Sequence, residues 1–359
     1  MALKIYERHL AREIHASTAL VLTAFLMLFA FFDLIHELES IGRGAYQLQH
    51  ALGYVALTLL GRLYELFPIG VLIGTLYALT VLARHSEITV LRTAGLSTGD
   101  LLVALAKIGL VYAVLTLLVG EFLAPPAERA AQQLRLKAMG SLVAQEFRSG
   151  LWVRDELAFV NVREVLPDAS LQSVRVFEFD DGFRLLSISE AERGHYLSAG
   201  TWSLEGVVRT VFSGDSASIE RYGQLNWKSA LNPDLLAVLL VVPERMSLVN
   251  LYLYIRHLSG NQQKTDRYDI AIWKKLIYPL AALVMMALAL PFAYMQDRIG
   301  AVSIRVFAGI MLGIGFHMLN GLFSSLGVIN SWPPFFSAIT PSLLFLMTAA
   351  GMLWWVERR

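Results

Sequence analysis

Residues 101–124, LLVALAKIGLVYAVLTLLVGEFLA, end against Pro125-Pro126, and further on residues 174–212 read VRVFEFDDGFRLLSISEAERGHYLSAGTWSLEGVVRTVF. The first stretch, as a helix rising 1.5 Å per residue, is long enough to cross about 30 Å of hydrocarbon. The second is polar and alternates with period two, the pattern of half-buried strands. A membrane segment therefore abuts an all-β segment, and the surrounding chain extends the pattern. Apolar stretches at Ala16–Ile35, Phe67–Ala83 and Leu101–Ala124 precede the insert; stretches at Leu276–Met295, Val306–Phe323 and Phe335–Val356 follow it. The second stretch is expected to begin near Leu52 as a longer helix, with Arg62 and Glu65 at its outer end.

Composition agrees with a membrane protein. Of 359 residues 56% are hydrophobic and 16% charged, more apolar and less charged than a soluble domain. A net charge of +1 provides no global basic field for nucleic acid. The absence of cysteine excludes disulfides, thiolate catalysis and cysteine-ligated metal.

Leu3, Tyr6, Leu10 and Ile14 recur at helical spacing opposite Lys4, Arg8 and Arg12, which predicts a short amphipathic helix on the inner membrane surface. The first span carries no small-residue cleavage pattern, so it is expected to remain in the membrane. With the N-terminus inside, the inner segments hold Lys4, Arg8, Arg12, Arg84, Arg92, Arg298, Arg305, Arg358 and Arg359, and the short outer loops only Arg43. The positive-inside rule then places both termini in the cytoplasm and the insert outside.

The division is 1–140 for the N-terminal membrane half, 141–243 for the β-domain and 244–359 for a connecting helix and the C-terminal membrane half. Within the insert, 152–154, 158–162, 174–179, 184–188, 196–204, 207–212 and 218–222 read as strands. Turns are expected at Asp180-Asp181-Gly182, Ser198-Ala199-Gly200 and Ser213-Gly214-Asp215. Short antiparallel strands without intervening helices point to a sandwich or jelly roll. The fold class is thus a polytopic six-helix membrane protein (3+3) with an inserted jelly-roll-like domain. Helical struts, Glu128–Gly140 and Ser247–Leu258, flank the insert. Arg129 and Arg135 on the first strut suit either a solvated or headgroup-facing side or a ligand site.

Between the second and third spans, Ser86 suits a helix N-cap, Glu87 the positive end of the first turn, and Gly95 a left-handed stop. Ile88 and Leu91 share a face. Such a helix either docks into a soluble partner's groove or simply links two spans. Gly95-Leu96-Ser97-Thr98-Gly99 matches the nucleophile-elbow pattern, but lacks the strand-to-helix setting that an α/β-hydrolase needs. His36-Glu37-Leu38-Glu39 misses the spacing of a zinc protease, and there is no P-loop, so nucleotide-driven work requires a partner. Gly70 and Gly74, and Gly309 and Gly313, permit close helix packing within the subunit or across a dimer. His317 and Asn320, one turn apart, are expected to face a neighbour or a wet cavity.

The order and spacing of Tyr6–Arg12, Arg84–Gly95, Gly120-Glu121, Ala124-Pro125, Gly150-Leu151-Trp152, Phe159-Val160 and Met246–Tyr268 resemble the LptF/LptG family of lipopolysaccharide export permeases, and its LptG branch more than its LptF branch. The resemblance implies a Gram-negative inner-membrane permease subunit of an ABC transporter. Its implied partners are an LptF-like permease, an LptB-like ATPase dimer and an LptC-like jelly-roll protein, and its cargo is lipopolysaccharide, extracted and passed to a periplasmic β-jelly-roll bridge. No cofactor is expected on this chain; ATP and Mg belong to the partner ATPase. Ser86, Glu87, Ile88, Leu91 and Arg92 would form the ATPase-coupling helix, with Glu87 central. Arg62, Arg129, Arg135 and, more weakly, Arg43 would meet the anionic lipid. Spans one and five would form lateral gates carrying Phe32, Asp33, His317 and Asn320. Asp33, Glu37 and Glu39 stand where relatives can carry lysines, which argues against substrate contact at that end of span one. The alternatives are a MacB-like mechanotransmission subunit, which has four spans with its domain after the first, a membrane hydrolase using Ser97, and a non-transporting scaffold displaying a β-domain.

Overall fold

A computed structural model describes residues 4–139, 150–155, 157–166, 170–198, 200–214, 216–229, 243–260, 263–294 and 301–358. Arg298, Arg359, the turn residues Ala199 and Asp215, and the joints of the insert at 140–149 and 230–242 lie outside the described residues. Among the described residues, six helical segments are long and apolar enough to cross a membrane. They divide three and three around a six-stranded sheet, as the apolar stretches predict.

Helix α1 spans Ile5–Leu38 without a break. The separate surface helix expected at its start is instead its first turns. No proline or glycine interrupts this run, and Leu10 and Ile14 are buried in the main core while Lys107 holds Glu7 at 2.5 Å. Helix α2, Leu48–Arg84, runs 37 residues, about 55 Å. It is the central post. In its most apolar stretch 78% of residues are buried, against 11% for α1. Gly70 and Gly74 let α1 approach: a Cβ on Gly74 would stand 2.5 Å from Thr18 Cα. The second glycine pair also serves packing within the chain, since a Cβ on Gly313 would lie 2.8 Å from Ile69.

Helix α3, Glu87–Thr93, links α2 to α4, Thr98–Leu118. A π-turn at Val119–Leu123 joins α4 to α5, Ala124–Met139. Pro125 and Pro126 have no amide hydrogen to continue an α ladder, and the wider turn precedes them. After the sheet come a 3₁₀ turn at Pro243–Arg245, α6 at Leu248–Gly260 and α7 at Asp266–Ile277. A second 3₁₀ turn at Tyr278–Leu280 joins α7 to α8, Ala281–Tyr294. Helices α9, Ala301–Ile329, and α10, Pro334–Glu357, complete the bundle.

The insert is an antiparallel meander in which each strand pairs with the next: β1 Leu151–Asp155, β2 Ala158–Val165, β3 Leu171–Phe179, β4 Leu185–Ser198, β5 Thr201–Ser213 and β6 Ser216–Lys228. Among the described residues the seven expected strands become six. The turn at Ser198 to Gly200 cuts the stretch read as 196–204, and β5 passes through Gly206 at φ +65°, where a strand break was expected. Asp180 Oδ1 accepts the Gly182 and Arg184 amides at 2.9 and 2.8 Å, closing the predicted turn before β4. Alternate residues Val160, Val162, Val174, Val176, Trp202 and Leu204 form a dry core. The sheet curls around a cavity of about 1020 Å³ that residues of both β1 and β6, Asp155 and Trp227, line together with Glu178 and Arg209.

Candidate functional site

The two ends of the helix bundle carry different chemistry. At the end from which the sheet is hung, α1 presents Asp33 and Glu37 one turn apart on one face. Arg62 of α2 grips Asp33 with both arms of its fork, Nε to Oδ2 at 3.0 Å and Nη2 to Oδ1 at 2.8 Å, and reaches Glu65 at 3.4 Å. Glu65 also meets Arg245 at 3.4 Å, and Arg245 donates to both oxygens of Glu128 at 3.2 and 3.3 Å. Burial would lower the Arg245 guanidinium, but Glu128 and Glu65 outweigh it and hold the group above its ordinary value. Arg135 stands 3.4 Å from Glu37 and over the Tyr54 ring. An ionic chain thus runs from span one through span two to both struts of the sheet.

This geometry divides the four candidate lipid-binding arginines. Arg62 and Arg135 are internally paired, whereas Arg43 and Arg129 are exposed and have no ion pair among the described residues. The acids of span one neutralise the basic groups beside them.

On another side of α2, Tyr64, Glu65, Lys274, Lys275, His317 and Asn320 line a cavity of about 130 Å³. His317 and Asn320, expected to face a neighbour or a wet cavity, both border this one. Glu121, projected by the π-turn, accepts the Leu248 amide with both oxygens at 3.0 Å and pairs with Lys275 at 3.3 Å. Lys275 also donates to the Met246 carbonyl. Phe32 and Asp33 do not join His317 and Asn320. Helices α1 and α9 each pack on α2 rather than on each other. Phe32 is exposed beside Phe31.

At the opposite end, α3 rests on the bundle through Ile88, which is buried. Ile88 is therefore not part of an outward apolar face with Leu91; the exposed groups of α3 are Thr89, Val90, Arg92 and Thr93. Ser86 adopts a left-handed conformation at φ 60° and its side chain makes no cap bond, contrary to the N-cap expectation. Gly95, at φ +95°, closes the segment as predicted. Glu87 is partly exposed and meets His9 of α1 at 2.9 Å, and Arg92 lies over the Tyr294 ring. Ser97 is a helix cap. Its Oγ donates to Asp100 Oδ2 at 2.6 Å and accepts the Asp100 amide at 3.1 Å, which commits the hydroxyl to α4 and removes the basis for an elbow nucleophile.

Glu65, Glu121, Glu128, Arg245, Lys275 and His9 were not singled out by spacing as site residues. The available signal was an acid at the edge of an apolar run, Glu65 and Glu121, which is costly there unless paired.

The lipopolysaccharide export permease LptF/LptG family matches residues 8–356. The chain is 29% identical over 354 residues to the lipopolysaccharide export system permease protein LptG of Haemophilus influenzae, covering 98% of each chain. It is 27% identical over 359 residues to LptG of Escherichia coli K12, covering 97% of this chain and 98% of that one. A match across the six spans, the inserted sheet and both charged ends leaves one conclusion, that the chain belongs to the LptF/LptG family of lipopolysaccharide export permeases.

Proposed function

We propose that this multi-pass chain is the LptG-like permease subunit of an inner-membrane ABC transporter. It pairs with an LptF-like permease, is driven by an LptB-like ATPase dimer at α3, and passes lipopolysaccharide to its own sheet, then to an LptC-like protein and a periplasmic bridge. Both termini and α3 lie in the cytoplasm and the sheet in the periplasm, in keeping with Lys4, Arg8, Arg12, Arg84 and Arg92 near the α3 end. The chain itself hydrolyses nothing; it converts ATPase motion into movement of a lipid.

The observation that carries this reading is the placement of α3 at one end of α2 and of the sheet's first strut along its other half, α2 being the candidate span whose most apolar stretch is most buried. A push on α3 through the half-exposed Glu87 enters a post whose middle turns bear Arg62 and Glu65, ionically tied to α1 and to Arg245. Six spans with the sheet after the third favour this over the MacB-like arrangement.

Glu87→Ala tests it. The variant is expected to reach the membrane at normal level but to lose ATPase co-purification or lipopolysaccharide export. Normal association and export together would refute the coupling role.

A further inference from the structure

The outer end of α1 is held in an unusual way. Phe31, Phe32, Ile35 and Leu38 are exposed there, and the apolar hold on this end is the packing of Leu34 on the small cluster of Tyr46, Ala51, Ala138 and Met139. Beside it Asp33 and Glu37 also face inward, Asp33 hydrogen-bonded to Arg62 and Glu37 in a looser ionic contact with Arg135 at 3.4 Å that leaves the two facing atoms, Glu37 Oε1 and Arg135 Nε, without a hydrogen bond. The Arg62–Asp33 contact is a two-armed fork, and the guanidinium fork binds phosphate with the same geometry as carboxylate.

We propose that Asp33 and Glu37 are internal counter-anions occupying the guanidinium positions that a lipid's phosphates take, and that they restrict admission along α1 to headgroups bearing more than one phosphate. This rests on the reading that anionic lipid meets Arg62 and Arg135. A headgroup with a single phosphodiester can replace one carboxylate and leaves the other pair closed. A headgroup with two phosphates releases both at once, each guanidinium exchanging one anion for another. The displaced carboxylates swing with the outer end of α1 toward the wet interface, at the apolar cost of the Leu34 contact alone among these groups, while the turns seated at Gly70 and Gly74 stay in place. The acids that seemed to disfavour substrate at this end of span one therefore act as its selectivity element.

The test uses the intact complex with its partner permease and ATPase in vesicles of phosphatidylethanolamine, with either phosphatidylglycerol or bis-phosphorylated lipopolysaccharide added. A photo-crosslinker replaces Phe32. Wild type should crosslink lipopolysaccharide in preference to phosphatidylglycerol. Asp33→Asn with Glu37→Gln should raise phosphatidylglycerol crosslinking about fivefold, roughly what the loss of one charge-assisted competitor implies, while retaining lipopolysaccharide. Unchanged preference in the assembled double variant overturns the proposal; if that variant does not assemble, Asp33→Asn alone is judged by the same criterion. Arg62→Gln with Arg135→Gln separates the two ideas: full retention of lipopolysaccharide crosslinking in that variant overturns the underlying reading, whatever the acids do.

Discussion

Replacing Glu121 by glutamine should loosen the joint between span three, span four and the second strut of the sheet. The Lys275 side chain is 5% exposed and that of Glu121 15%, so the charge lost is one that water does not readily replace. Glutamine keeps one oxygen for the Leu248 amide but cannot neutralise Lys275. Breaking a buried pair from one side costs about 3–5 kcal/mol. With an unfolding entropy of about 2.1 cal/mol/K per residue, that corresponds to a fall of roughly 4–7 °C in Tm for a chain of this length. Thermal unfolding in detergent, followed by tryptophan fluorescence, measures it. Glu121→Gln with Lys275→Met completes the cycle: removing the orphaned charge should restore at least about 1 kcal/mol. Additive losses, or a Tm unchanged by Glu121→Gln, would refute the claim that this pair fixes the joint.

Two further outcomes follow from packing and capping. Gly74→Ala places a methyl 2.5 Å from Thr18 Cα, so it should push α1 off α2 and cost about 1–3 kcal/mol, visible as easier cleavage or lower Tm. Ser97→Ala should lose the α4 cap, about 1 kcal/mol, and leave export intact; export abolished in a stable Ser97→Ala protein would instead revive a chemical role for the hydroxyl.

The membrane layout was legible because span length and apolarity are properties of contiguous sequence, and the sheet because Val174 to Phe179 and Thr201 to Phe212 carry their period locally. Boundaries failed where a local signal was ambiguous. Gly206 looks like a strand break but sits inside β5, and Ser86 has the right residue type for a cap but the wrong backbone. The candidate arginines were legible as types, not as states. Arg62 is paired with a residue 29 positions away and Glu65 with one 180 positions away, and no spacing rule connects such positions. Ile88 shows the same limit. Helical periodicity marked it as apolar-facing, but could not say whether its neighbour is the chain's own core or another protein.

The π-turn at Val119–Leu123 also sets a helical phase. Each residue of an α-helix turns about 100°, and a π-turn accommodates one residue beyond the α count. Everything after it, including Glu128 and Arg135, is therefore rotated relative to α4 by an amount that one residue decides. Deleting a single residue between Val119 and Leu123 would leave every side chain of α5 chemically intact, yet turn Glu128 from Arg245 and Arg135 from Glu37 together. The alignment of the strut with span one is thus written as a count of residues, a form of information that substitution scanning does not read and a one-residue deletion does.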